Sequence, residues 1–368
     1  MYSAHVTANR RGACITAVGP AKSVRLFSPE GVQVPTSQLN CDQKQAVLLL
    51  AHGTPETVEQ IPEYLRNVVS GRPVPPAVVE EIQHRYSLIG KSPLTEITFA
   101  QARLVEEKLA AAGERIPVYV GMRNWRPYIP EVVRQMRADE VEAAAVICMA
   151  PQNSRTSVGL YRRAVEAEAG GVRIDFTSGW ADHPLLADAF AERLRPALAK
   201  LSREVGKPVP VLFTAHSVPA RTVEARAETE GRGQPRLWPG EGADPYAEDA
   251  RRTAELVAER VPEIPRWWFA FQSQGASGGE WLGPSVEETL DRIADEGVKA
   301  LILQPIGFLC DHVEILFDVD ILFREYASGR GIQLERPESL NASETLARAI
   351  ADLARLGFTR LKHSAATK

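Results

Sequence analysis

The sequence predicts an α/β protein of two Rossmann-like lobes, each a four-stranded parallel sheet flanked by helices. Three features predict it. From residue 46 onward short apolar runs alternate with helix-like stretches, the alternation passes through four strands and begins again, and both series open on related words. The first series is AVLLLA (46–51), VYVG (118–121), AAAVICMA (143–150) and VRIDFT (172–177). Between them lie stretches such as 97–112, whose apolar residues recur at three- and four-residue spacing. The second series is PVLFTA (210–215), WWFAFQ (267–272), ALILQPI (300–306) and IQLE (332–335). Strands that alternate with helices imply parallel sheets with helices on both faces.

The opening words are LLAHGTP at 49–55 and FTAHSVP at 213–219, each an apolar strand followed by Ala-His-small-x-Pro. Each opens its own four-strand series, so the halves read as two copies of one unit, at 46–180 and 181–340. Residues 1–45 show no sustained periodicity and are expected to form a loosely ordered extension. After the second lobe, Asn341 with Glu344 three residues on makes a capping signal. Leu346, Ile350, Leu353 and Leu356 form an apolar stripe, and Gly357 is a natural stop. A helix over 341–357, docked back on a lobe, is expected there, with a tail at 358–368.

Bulk properties exclude several classes. With 44% hydrophobic and 24% charged residues, a net charge of −4 and no basic block, the chain gives no reason to expect nucleic acid or an anionic membrane as partner. No apolar stretch approaches the ~20 residues of a membrane helix, and Arg10 and Arg11 precede no signal-like run. The four cysteines, at 14, 41, 148 and 310, form no CxxC pair. That argues against a zinc ribbon or a disulfide framework and for free thiols in a reducing compartment. A cytoplasmic monomer is the expectation.

Ligands of open parallel sheets bind beyond the carboxyl ends of the strands, where His52 and His216 would both stand. The segment PIGFLCDHVEILFDVD (305–320) leaves another strand of the second half. It places Asp311, His312, Glu314 and Asp318 at the start of a helix, with three carboxylates on one face by i, i+3 and i, i+4 spacing. Acids at a helix start complement its dipole, which accounts for Asp311. Glu314 and Asp318 sit among Ile315, Leu316, Phe317 and Val319, where a carboxylate must be paired, protonated, hydrated or bound to a cation. One imidazole and a file of carboxylates suit a divalent metal such as Fe²⁺, Co²⁺ or Zn²⁺, and the absence of further firm ligands suggests transit of the ion. No P-loop or GxGxxG signature follows the first strand, so no nucleotide is expected.

Taken in order, eight segments resemble the ferrochelatases, most closely their short bacterial form that acts on coproporphyrin. They are AHGTP (51–55), RYSLIGKSPL (85–94), GMRNWRP (121–127), APQNSRTSVGLY (150–161), TAHSVP (214–219), DPY (244–246), FQSQGASGGEWLGP (271–284) and the 305–320 segment. The resemblance covers about residues 46–357. It implies two Rossmann-like lobes around a porphyrin cleft, insertion of Fe²⁺ into a free porphyrin, and His216 and Glu314 as the metal-handling pair on opposite sides of the metal's path. Asp318 would assist a turn further on, and His52, Arg85, Tyr86, Ser92 and Tyr161 would line the ring. The long Trp/Leu/Arg-rich lip of the membrane-associated enzymes is absent between residues 56 and 84, which favours coproporphyrin III over protoporphyrin IX.

Three departures accompany the resemblance. His52 stands where the short forms often carry an aromatic residue, commonly Tyr, and an imidazole can serve as an axial iron ligand. Leu322 stands where the acid file usually continues. Val158 occupies a place where some relatives have a cluster cysteine and no cysteine lies near the C-terminus, so no [2Fe–2S] cluster, and no resident cofactor, is expected. Alternatives are a sirohydrochlorin or cobalt chelatase, which shares the LLLAHGT opening, and a non-catalytic haem or porphyrin carrier.

Overall fold

The computed structural model describes residues 44–155, 157–220, 244–274 and 280–366. Residues 1–43 of the extension expected over 1–45 lie outside them, and Gln45 already belongs to a strand. The first lobe runs β1 (Gln45–Ala51), α1 (Ile61–Val68), α2 (Pro76–Ile89), α3 (Leu94–Ala111), β2 (Val118–Met122), α4 (Ile129–Ala138), β3 (Ala143–Cys148), α5 (Val158–Glu166) and β4 (Arg173–Thr177). Helix α6 (Pro184–Val205) leads into the second: β5 (Val211–His216), α7 (Tyr246–Arg260), β6 (Trp267–Gln272), α8 (Val286–Asp295) and β7 (Ala300–Pro305). There follow a π-helix (Glu314–Phe323), α9 (Arg324–Gly329), β8 (Gln333–Glu335) and the closing α10 (Glu344–Ala366).

Both sheets are wholly parallel and share one strand order, β2-β1-β3-β4 and β6-β5-β7-β8. Central β1 registers Val47 against Val118 on one side and Ala145 on the other; central β5 registers Val211 against Trp267 and Ile302. Such strands are covered on both faces, which is why they read as continuous apolar runs and why Leu48, Leu49 and Leu50 are all fully buried. In this order the connections from the first and third strands of a lobe leave in opposite directions. The resulting switch point lies beyond the ends of β1 and β3 in one lobe, and of β5 and β7 in the other.

The C-terminal helix packs on β3, β4, α3 and α6, which makes it part of the first lobe's cover although it follows the second lobe in sequence. Its expected limits need correction at both ends. Asn341 does not cap it: its backbone is left-handed at φ 46°, and its side chain turns to Asp311. Ser343 is the cap, its hydroxyl accepting from Leu346 N at 3.2 Å. Nor does the helix stop at Gly357. It continues to Ala366, because Gly357 is a contact residue: a Cβ there would stand 3.0 Å from Asp175 Oδ1 and 3.1 Å from Ala145 Cβ. The missing side chain lets α10 lie close on the sheet, where Arg360 pairs with Asp175 at 2.6 Å.

Gly357→Val should therefore destabilise the protein by about 1–3 kcal/mol, the usual cost of overpacking, despite the better helix propensity of Val. Urea unfolding checks this, and an unchanged midpoint would mean that α10 can lift off its sheet freely.

Candidate active site

A cavity of about 340 Å³ opens where the switch points of the two sheets meet. Its walls come from the ends of β1 and β5 and from the loops after β3 and β7, and it carries His52, Tyr161, His216 and Glu314 of the residues expected from sequence.

His216 is the last residue of β5, and its carbonyl accepts from the Tyr246 hydroxyl at 2.7 Å. The loop after β7 passes directly behind it. A Cβ on Gly307 would stand 3.0 Å from Ala215 Cα and 3.3 Å from His216 N, so only glycine permits that approach. Beyond Gly307 the chain turns at His312, whose Nδ1 donates to Cys310 O at 3.1 Å, and enters the π-helix at Glu314. Glu314 Oε2 lies 3.2 Å from His216 Nδ1 and 3.8 Å from His312 Nε2. The expectation that His216 and Glu314 oppose each other across a path is thus corrected: both belong to the second lobe, and they touch. Neither buried atom has an aligned hydrogen bond.

Electrostatics follow from that contact. Burial opposes charge on His216, but the Glu314 carboxylate outweighs it, with Asp318 adding to the effect, and the imidazole is raised above its ordinary 6.5. Burial also opposes charge on Glu314, yet His216 and His312 hold it well below the usual carboxylate range. An ionised carboxylate thus faces a basic imidazole at neutral pH.

The acid file is shorter than the spacing suggested. The wider turn of a π-helix stacks residues four to five apart, which places Asp318 behind Glu314. Asp318 does not line the cavity; Arg85 Nη1 donates to its Oδ1 at 3.0 Å and the Ser273 hydroxyl donates to its Oδ2. Burial, reinforced by the charge of Glu314, pushes Asp318 up to about 6. Asp311 stands outside the file, bound by Ser339 and Asn341 at 2.6 and 2.8 Å and by Arg336 at 3.3 Å. Leu322, at the next place, is exposed.

On the first-lobe wall His52 Nε2 lies 2.9 Å from the Tyr64 hydroxyl and 3.0 Å from Asn124 Nδ2. Burial, aided by the charge of Arg123, pushes His52 down to about 4, so it is neutral at pH 7. Tyr161 lines the same wall with its hydroxyl raised by burial. Three expected ring contacts lie elsewhere. Arg85 is held by Asp318 and Glu81, Tyr86 is buried with Ile61, Tyr64, Leu65 and Trp125, and Ser92 is buried just before α3. Conversely, Tyr64, Arg123 and Tyr246 line the cavity without having been singled out. Arg123 and Tyr246 sit in GMRNWRP and DPY, so their segments carried a signal even though the residues did not.

Among the described residues, no group of three or more His, Cys, Asp or Glu is arranged to hold a metal ion. His216 and Glu314 could offer an ion two donors, a contact suited to passing it on.

A model of the ferrochelatase family matches residues 44–356. The ferrochelatase of Acidobacterium capsulatum is 56% identical over 327 residues, which cover 88% of this chain and 98% of that protein. The coproporphyrin III ferrochelatase of Mycolicibacterium vanbaalenii is 33% identical, covering 84% of this chain and 88% of that protein. Among solved structures, the sirohydrochlorin chelatase SirB from Bacillus subtilis subspecies spizizenii, in complex with cobalt, superposes with a TM-score of 0.49 at 10% identity, covering 86% and 95% of the two chains.

Asp318 supplies a test of the site's electrostatics. Its folded pKa of about 6 exceeds the roughly 3.9 of an unfolded Asp. The folded state therefore binds more protons between these values, and the wild type should lose stability relative to Asp318→Asn as pH rises from about 4 to about 6, by an amount on the order of 2 kcal/mol. Unfolding free energies of both proteins across that range read the difference, and parallel curves would contradict the assignment.

Proposed function

The chain belongs to the ferrochelatase family, and on that premise we propose that its ring substrate is coproporphyrin III and that His216, Glu314 and Asp318 carry the insertion. Membership of the family gives the activity as insertion of Fe²⁺ into a porphyrin, which makes the protein a porphyrin metal chelatase. Iron is a substrate in this reaction, and the residues of this chain have three tasks. They hold the ring, receive two pyrrole protons, and ease Fe²⁺ out of its water shell.

The contact of His216 with Glu314 on the cavity wall carries the proposal. An imidazole raised above 6.5 takes a proton readily near neutrality, and the adjacent carboxylate stabilises the imidazolium that results. The same two atoms can offer donors to an incoming ion, although one nitrogen cannot ligate iron and accept a proton at once. Asp318, poised near 6 behind Glu314, can pass a proton onward. His52, neutral on the opposite wall, is the candidate axial contact to the iron product; its Nε2 must first part from the Tyr64 hydroxyl. The ferrous product spectrum of His52→Ala tests that contact, and an unchanged spectrum would reject it.

Two observations support coproporphyrin III. Residues 56–84 form the short helix α1 and the first part of α2, and among the described residues no helix is long and apolar enough to cross a membrane. A ring with four propionates is water-soluble, and Arg123 on the cavity wall is a cation of the kind that pairs with carboxylates. The Mycolicibacterium relative carries that substrate in its name.

Anaerobic incubation with Fe²⁺ and each of coproporphyrin III, protoporphyrin IX and sirohydrochlorin tests the whole reading. Coproporphyrin III should give the highest kcat/KM in detergent-free buffer; faster turnover of either other ring would reject the substrate assignment. His216→Ala should abolish insertion while porphyrin binding persists, and Glu314→Gln should lower turnover at least ~10²-fold, with Asp318→Asn costing less. Near-wild-type turnover in His216→Ala would reject the roles. Either use of the imidazole needs its free base, so the wild-type rate should rise as pH passes through a value above 6.5.

A further inference from the structure

Residues 244–246, the DPY word, take no part in the chemistry above, yet they join the two walls of the cavity. Asp244 is buried, and its two carboxylate oxygens have separate duties. Oδ1 accepts from Tyr246 N at 3.1 Å, fixing the turn into α7, and Oδ2 accepts from Arg155 N at 2.8 Å. Arg155 lies in the loop after β3, which brings Gln152, Ser154 and Ser157 to the cavity and leads into α5 with Tyr161. Two turns of α7 continue the clasp. Asp249 Oδ2 accepts from Asn153 N at 2.9 Å, and Thr253 Oγ1 accepts from Gln152 Nε2 at 3.1 Å. Gln152 Nε2 also lies 3.2 Å from Ile306 O, so first-lobe loop and second-lobe strand end are tied in one buried network.

Tyr246 closes the circuit. Its hydroxyl donates to the carbonyl of His216 at 2.7 Å, its side chain lines the cavity, and its ring lies tilted against Phe271 with centroids 6.4 Å apart. One short segment thus grips the loop that would support the ring and the backbone of the imidazole that would meet it.

We propose that Asp244 and Tyr246 are positioning residues that lock the loop after β3 to His216, so that the seat of the porphyrin in the first lobe sets its distance from the imidazole of the second. This rests on the role assigned to His216. The physical ground is that misplacing a reacting group by a fraction of an ångström slows its reaction while leaving affinity spread over many other contacts. Neither residue exchanges a proton or touches iron.

The test uses the full chain with Tyr246→Phe, Asp244→Asn, the double variant, and His216→Ala. Porphyrin Kd is read by fluorescence quenching, kcat by anaerobic Fe²⁺ insertion, and stability by Tm. Tyr246→Phe deletes one hydroxyl from an otherwise unchanged ring. It should leave porphyrin Kd within about two-fold and lower kcat about 5- to 10-fold, the effect of one neutral hydrogen bond used for positioning. Asp244→Asn should act in the same direction, and the double variant should be less impaired than the product of the two losses, since both cut one tie. An unchanged kcat in Tyr246→Phe, with or without a lower Tm, would overturn the proposal, as would losses that multiply. Turnover in His216→Ala would instead overturn the role of His216 itself, so the two failures are told apart.

Discussion

The 3.2 Å approach of the His216 imidazole to the Glu314 carboxylate is the constraint around which the second lobe is arranged. Two half-buried groups of opposite charge tendency must meet without an aligned hydrogen bond to settle them, and each neighbouring feature serves that meeting. Gly307 lets the loop after β7 pass so close behind β5 that a Cβ there would stand 3.0 Å from Ala215 Cα. The π-helix turns Glu314 toward the imidazole and stacks Asp318 behind it. Arg336 grips Asp311 ahead of that helix and Asp320 within it, at 3.3 and 2.7 Å, and so braces the helix from the side away from the cavity. Gly307 and Arg336 thus hold the imidazole and the carboxylate in place without touching either side chain's reactive atoms.

The shared topology of the two lobes makes their asymmetry instructive. His52 and His216 stand at the ends of equivalent central strands of sheets with one topology. Their proton affinities nonetheless diverge, and only their neighbours differ. His52 meets burial, a phenol, an amide and the charge of Arg123, and falls to about 4. His216 meets Glu314 and rises. One backbone plan thus presents a neutral imidazole on one wall and a readily protonated one on the other, which is how environment divides roles between like residues.

The sheets were legible in the sequence because strands covered on both faces are mostly apolar, and β1, β3, β5 and β7 each carry an unbroken apolar run of three residues or more. The meeting of His216 with Glu314 was partly legible because Glu314 is a carboxylate in an apolar segment, and such a group needs a partner. What escaped was long-range. Gly357 looked like a helix stop because glycine usually ends helices, whereas here it is the floor of a helix-on-sheet contact. Asn341 looked like a cap, but its side chain serves Asp311 from the adjoining loop. Nothing local to Arg85, which was expected at the ring, reveals that Asp318, far along the chain, pairs with it. Tyr64 and Tyr246 carry no pattern of their own, and only the folded chain brings them to the cavity.

The central claim is that Glu314 sets the basicity of His216, and the imidazole's titration measures it most directly. NMR of the His216 ring in the wild type should give a pKa above 6.5, and in Glu314→Gln, where burial is left without its opposing charge, a pKa displaced downward. The same pKa in both proteins would contradict the account.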